Sequence, residues 1–271
     1  MTEIEKISDT FDQEGFCIVR DIITEEQISN VFDNIIKIYF KLNTKSDLVY
    51  EEGLWKNELF HEEMIKFRQS DPGYFSEMYD SCQSSNSLSK VVLDEKILDV
   101  TSNLLKCKKE ELSFSGNMTR MDVPGDTKNK TAWHQEIAFV RNPGLVLWIP
   151  LVEITEDIGP LHILERSHAN GEIVVDRNDI NQYTTSRVSE TEIPKIILDK
   201  YKEKSIKIDL GDALFFDTNL IHSSGTNTSK RIRFSSQTRF FNALSNDFAP
   251  FREKEVYNPH AMQRLNRKSY D

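Results

Sequence analysis

Arg231-Ile-Arg-Phe-Ser-Ser-Gln-Thr-Arg-Phe-Phe241 decides how the rest of the chain is read. Side chains on a strand alternate between its two faces. Arg231, Arg233, Ser235, Gln237 and Arg239 therefore share one face, and Ile232, Phe234, Ser236, Thr238 and Phe240 the other. One face is polar and cationic; the other is largely apolar. A strand that lines a polar pocket while its back packs on helices has this pattern. An edge strand with one solvated face also has it, so the neighbouring segments must decide.

Working back from that strand, short alternating runs separated by turns begin at Leu112. Strands are expected at Leu112–Asp122, Ala132–Val140, Leu145–Val152, Leu161–Leu164, Ile173–Val175, Ser205–Asp209, Ala213–Asp217 and Ile232–Phe241. Many short strands with turn signals between them suggest a sandwich or barrel. The first hundred residues instead carry helical spacing. Ile4, Ile7 and Phe11 share a face, with Gly15 where a C-terminal cap belongs. Thr24-Glu-Glu-Gln27 has the form of a capping box, and Ile28, Val31, Phe32, Ile35, Tyr39 and Leu42 continue at helical spacing. Asp71-Pro72 opens another helix, with Asp71 as the cap, and Ile97, Leu98, Leu104 and Leu105 mark one more. The expected fold is α+β: a double-stranded β-helix (jelly-roll, cupin-like) core covered on one face by mainly N-terminal helices. No linker separates the two parts. We therefore expect a single domain over 1–271, with a helical layer to 110, a core over 111–241 and a tail over 242–271.

Composition narrows the function. With 38% hydrophobic and 29% charged residues in 271, the chain can bury a sizeable core. The net charge of −10 and the lack of a Lys/Arg-rich block argue against nucleic acid or an acidic membrane as partner. Cys17, Cys82 and Cys107 are odd in number and lack metal-type spacing, which suits a reducing, cytoplasmic setting. No run reaches the length of a signal peptide or a membrane span.

Chemistry concentrates in Thr131-Ala-Trp-His-Gln-Glu-Ile137. On an extended strand His134 and Glu136 would share a face and could grip one metal ion. A second histidine, for which His222 is the candidate, would complete a two-His, one-carboxylate set that holds non-heme Fe(II) and leaves positions open. His162 and His168 compete for that place. His61 and His260 lack a supporting motif and are expected at the surface.

Four pieces follow one another in order: Trp133-His-Gln-Glu136, Trp148-Ile-Pro-Leu151, Gly159-Pro-Leu161 and His222-Ser-Ser-Gly-Thr-Asn227. Together with Phe11, Gly15, Phe16, Ile18 and Val19, this set resembles the phytanoyl-CoA dioxygenase family of Fe(II)/2-oxoglutarate oxygenases, from about Phe11 to Phe241. The resemblance implies His134, Glu136 and His222 as catalytic metal ligands, with Fe(II), 2-oxoglutarate and O2 as cofactor and co-substrates. It places the arginine for the far carboxylate of 2-oxoglutarate at Arg233, with Arg231 as the rival on the same face. An arginine fits because its planar guanidinium meets a carboxylate through two parallel hydrogen bonds. Ser224 matches a further hydrogen-bonding position.

The chain departs from the family pattern twice. Glu136 stands where Asp is commoner, and Glu165-Arg166 replaces a Pro-Gly turn before Ser167-His168; whether either of those residues faces substrate stays open. Retention of the carboxylate points to a hydroxylase rather than a halogenase. The expected reaction hydroxylates a C–H bond of a small polar metabolite and releases succinate and CO2. Arg120, Gln135, Phe139 and Trp148 are the candidate substrate contacts. Two other readings remain: a non-catalytic jelly-roll binding protein, or a cupin-like metalloenzyme that does not use 2-oxoglutarate.

Overall fold

A computed structural model of the chain describes residues 2–83, 85–126, 131–138, 140, 143–173 and 193–246. Helices α1 (Glu3–Glu14) and α2 (Glu25–Leu42) each begin with a capping box, from Thr2 and Thr24. These boxes occupy N–H groups that a first helical turn leaves without partners. Gly15 closes α1 at φ 81°, a left-handed conformation open to glycine. Four more helices follow: α3 (Glu58–Ser70), α4 (Pro72–Cys82), α5 (Asn86–Val92) and α6 (Glu95–Leu104). α4 starts at Pro72 as expected, but Asp71 makes no side-chain capping bond. Proline at the first helical position, where its missing N–H costs nothing, sets that start instead. A short α7 (Lys195–Leu198) comes late in the chain.

Among the described residues eight strands build two antiparallel sheets. They are β1 (Phe16–Val19), β2 (Leu112–Asp122), β3 (Gly144–Pro150), β4 (Leu161–Leu164), β5 (Glu203–Ile206), β6 (Ala213–Asp217), β7 (His222–Ser224) and β8 (Arg233–Asn242). The larger sheet runs β1-β6-β3-β8-β2 and the smaller β5-β4-β7. This is the expected α+β, double-stranded β-helix arrangement, with β1 from the N-terminal region added at one edge of the larger sheet.

The alternation on β8 divides the molecule as its sequence requires. Phe234 points to the helical side, where its ring meets Phe32 at 5.1 Å, His61 at 5.8 Å and Phe60 at 6.5 Å. One continuous core joins helices and sheet, from Phe11 through Phe32 and Leu147 to Phe240. Directly opposite residues in an antiparallel pair share a face. Val146, Trp148 and Pro150 of β3 lie opposite Arg239, Gln237 and Ser235, while Arg120 and Asp122 of β2 lie opposite Ser235 and Arg233. This second face looks toward the smaller sheet.

Three expectations are corrected. Ala132–Val140 is not a strand; His134 makes one isolated bridge, and Glu136–Ala138 is a 3-10 turn. Ile173 belongs to no strand, and residues 174–175 lie outside the described residues, as do Phe139, His260 and residues 247–271 of the tail. His61 is not at the surface but fully buried. It ties three elements together: Nε2 donates to the Trp55 carbonyl at 3.0 Å, and Nδ1 accepts from the Ile232 N–H at 3.1 Å.

Burial and the nearby Arg231 push the His61 imidazole down from 6.5 to about 4. The unfolded chain therefore binds a proton in this window that the folded chain refuses, so stability falls as pH falls. The stabilisation is complete above 6.5 and lost as pH drops through about 4, a span worth about 3 kcal/mol. Urea unfolding across that range should show this loss in the native chain and a flatter dependence in His61→Gln.

Candidate metal centre

His134 and His222 face one another across the isolated antiparallel bridge. Each donates its backbone N–H to the other's carbonyl, both at 3.0 Å. A directly opposed pair places both side chains on one face, and the imidazole rings lie with centroids 4.1 Å apart. Each Nδ1 is within hydrogen-bonding distance of a carbonyl two residues back: His134 with Ala132 at 2.8 Å, His222 with Leu220 at 2.9 Å. Protonation at Nδ1 satisfies those carbonyls and leaves both Nε2 lone pairs aimed into the site.

Glu136 completes the group by a route other than strand alternation. The chain leaves the bridge after His134 and turns into the 3-10 segment at Glu136, with the Ile137 N–H on the Thr218 carbonyl at 2.9 Å. Glu136 Oε1 then lies 3.5 Å from His134 Nε2 and 3.7 Å from His222 Nε2. Adjacent ligands on one metal, at bonds of about 2.1 Å, stand about 3 Å apart. The three ligand atoms, all within 4.8 Å of one another, need only a small contraction to meet a metal ion. Among the described residues they are the one His/Cys/Asp/Glu group arranged in this way.

The electrostatics favour the metal-binding protonation states. Burial pushes the Glu136 carboxyl up, but the Arg239 guanidinium and the two imidazoles hold it well below the usual carboxylate range. Burial, with His134 beside it, pushes His222 down. A carboxylate and a neutral imidazole are the forms that bind a metal. Both carboxylate oxygens are held: Arg239 Nε donates to Oε2 at 2.6 Å and Gln237 Nε2 to Oε1 at 2.7 Å. The Phe216 ring lies 4.6 Å from that of His222 and closes one wall.

Arg233 is buried at 3% exposure on the same face of β8. Its Nε and Nη2 donate to Asp122 Oδ2 at 3.1 and 2.8 Å, and Nη1 donates to the Gly159 carbonyl. Arg120 approaches the other oxygen of Asp122 at 3.1 Å. Burial pushes Asp122 up, and Arg120 and Arg233 together bring it below its usual value. Three of the five guanidinium N–H groups of Arg233 are used in this way, and two remain. Ser224 shares the His222 face of β7 and is hydrogen-bonded to the Thr131 hydroxyl.

The remaining candidates separate. Gln135 turns away from the metal side. Its amide donates to the carbonyls of Asn219 at 2.6 Å and Gly171 at 2.9 Å, and accepts from Ile173 at 2.9 Å. These bonds brace the His134–Glu136 backbone. Trp148 is buried opposite Gln237. His162 sits 2.7 Å from Glu203, and His168 packs on Gly15 and reaches the Asp12 carbonyl at 3.2 Å. Arg166 pairs with Glu14, and Glu165 lies within 4 Å of Lys202 and Lys204. That turn braces α1 and β5 instead of the metal side. The sequence reading missed the roles of Arg239, Gln237 and Asp122, although the alternation on β8 had already put two of them beside Arg233.

Residues 11–235 match the profile of the family described as Phytanoyl-CoA dioxygenase (PhyH). The chain belongs to the phytanoyl-CoA dioxygenase family. Solved structures that share its fold include the following three. The epimerase SnoN, in complex with Fe3+, alpha ketoglutarate and nogalamycin RO, is 14% identical with TM-score 0.59, over 89% of this chain and 84% of that one. The carbocyclase SnoK from nogalamycin biosynthesis is 13% identical with TM-score 0.56, over 90% and 85%. EvdO2 from Micromonospora carbonacea var. aurantiaca, complexed with 2-oxoglutarate, is 20% identical with TM-score 0.51, over 92% and 96%. No curated protein sequence matches the chain. Family membership and the His134–Glu136–His222 donor set together fit Fe(II) with 2-oxoglutarate as co-substrate. Among the described residues no helix is long and apolar enough to cross a membrane.

Proposed function

We propose that this chain is an Fe(II)- and 2-oxoglutarate-dependent dioxygenase that hydroxylates a C–H bond of a small polar metabolite. The observation that carries the reading is Glu136 Oε1 facing both imidazole Nε2 atoms at 3.5 and 3.7 Å, with each Nδ1 backed by a carbonyl. When bound, Fe(II) and 2-oxoglutarate supply oxidative decarboxylation to succinate and CO2, coupled to oxygen transfer into a C–H bond. The chain's own part is geometric. His134, Glu136 and His222 offer three ligands from one side and leave the opposite side for the co-substrate. Arg233, oriented by Asp122 and Gly159, offers its two remaining N–H groups to the far carboxylate of 2-oxoglutarate. Ser224 adds a hydroxyl on the His222 face, and Phe216 keeps water from one flank of the ligands.

Arg120 and Trp148 lie on the face that borders this space and are the proposed substrate contacts, with Phe139 the third candidate. The core shared by helices and sheets supports one oxygenase domain spanning the chain. Three free cysteines fit a reducing, cytoplasmic setting. The test is succinate release from 2-oxoglutarate with Fe(II) and ascorbate against a metabolite panel, native chain beside His134→Ala. Release that requires both metal and His134 is the expected result. No metal-dependent turnover with any candidate would shift the reading to a jelly-roll binding protein.

A further inference from the structure

Arg239 occupies a seat that β2 deforms to provide. Between Ser115 and Met118 β2 advances three residues while β8, from Arg239 to Gln237, advances two. The extra residue makes a β-bulge, a device that re-aims side chains beside functional sites. Gly116 lies in this bulge at φ 66°, and a Cβ there would come within 2.6 Å of Arg239 Nη1. Glycine thus suits the left-handed backbone, and its missing Cβ leaves the space the guanidinium fills. The guanidinium placed there donates through Nε to Glu136 Oε2 at 2.6 Å, with both side chains buried. Oε1 is left facing the two histidines.

We propose that Arg239 is a positioning residue for the metal ligand: seated in the Gly116 bulge, it takes Glu136 Oε2 and so presents Oε1 alone to the ion. This rests on the metal-centre reading above and extends it to the number of oxygens Glu136 contributes. One oxygen keeps three positions open opposite the protein ligands; two would fill one of them. Gln237, donating to Oε1 from the same strand face, fixes the rotation of the carboxylate.

The test is titration of the full chain with Co(II) alone, read by calorimetry and by the visible d–d spectrum of the bound ion. Partners that orient a metal ligand are typically worth about 10–100-fold in metal affinity. Arg239→Met should weaken Co(II) binding by about that factor and alter the spectrum, because Oε2 becomes free to coordinate. Gly116→Ala, which touches no ligand and reaches the site through the guanidinium it displaces, at the added cost of a left-handed alanine, should change both readouts in the same direction and by less. Circular dichroism establishes that each variant is folded. Unchanged affinity and spectrum in Arg239→Met, or in Gly116→Ala should the first variant fail to fold, overturns the proposal. Equal Co(II) binding by the native chain and His134→Ala would instead sink the metal-centre reading beneath it.

Discussion

Glu136→Gln is expected to abolish metal-dependent succinate release and to leave a protein about 3 kcal/mol less stable. Both effects come from one carboxylate. As the proposed ligand it would supply the negative charge that draws the ion toward the two imidazoles. As the partner of Arg239 it neutralises a buried guanidinium at 2.6 Å. Breaking a buried pair from one side costs about 3–5 kcal/mol. The amide oxygen of Gln can still accept from Arg239, which sets the lower end. For a chain of this size that corresponds to a fall in Tm of about 6–10 °C. Succinate release and thermal unfolding on the same preparation measure the two effects, and a variant that kept both properties would remove Glu136 from the account.

The second large effect belongs to Arg233→Leu, for which saturation by 2-oxoglutarate should disappear. Asp122 then loses its closest cation, although Arg120 remains at 3.1 Å and limits the damage to about 3 kcal/mol. The double change Arg233→Leu with Asp122→Leu removes both charges together and should regain most of that stability. It should not regain saturation. Stability and co-substrate binding are thereby separated at a single pair. A double variant that bound 2-oxoglutarate normally would transfer the anchoring role to another cation, with Arg231 first in line.

Much of the design was legible where one local rule acted alone. The capping box at Thr24, Pro72 at a helix start and the two faces of β8 each follow from spacing that tertiary context did not override. The convergence of the candidate metal ligands was legible for a partly mistaken reason. His134 and Glu136 do converge, but Glu136 gets there on a 3-10 turn, and the constraint that aligns the histidines is a backbone bridge across 88 residues of chain. A contact at that separation leaves no local periodicity to read. His61 looked like a surface residue because its partners, the Trp55 carbonyl and the Ile232 N–H, are backbone groups, one of them just before the distant strand β8. Arg239 and Gly116 were each visible, one in an alternating pattern and one as a glycine inside a strand. Their connection depends on a register shift that sequence alone does not carry.

The most direct test of the central claim is an anaerobic Fe(II) titration of the native chain with 2-oxoglutarate present, following the visible charge-transfer band of the chelate. A saturable band reaching one iron per chain, absent from His134→Ala and from His222→Ala, is what the convergence of these side chains predicts. A native chain that develops no band, or one whose band survives loss of either histidine, would contradict it.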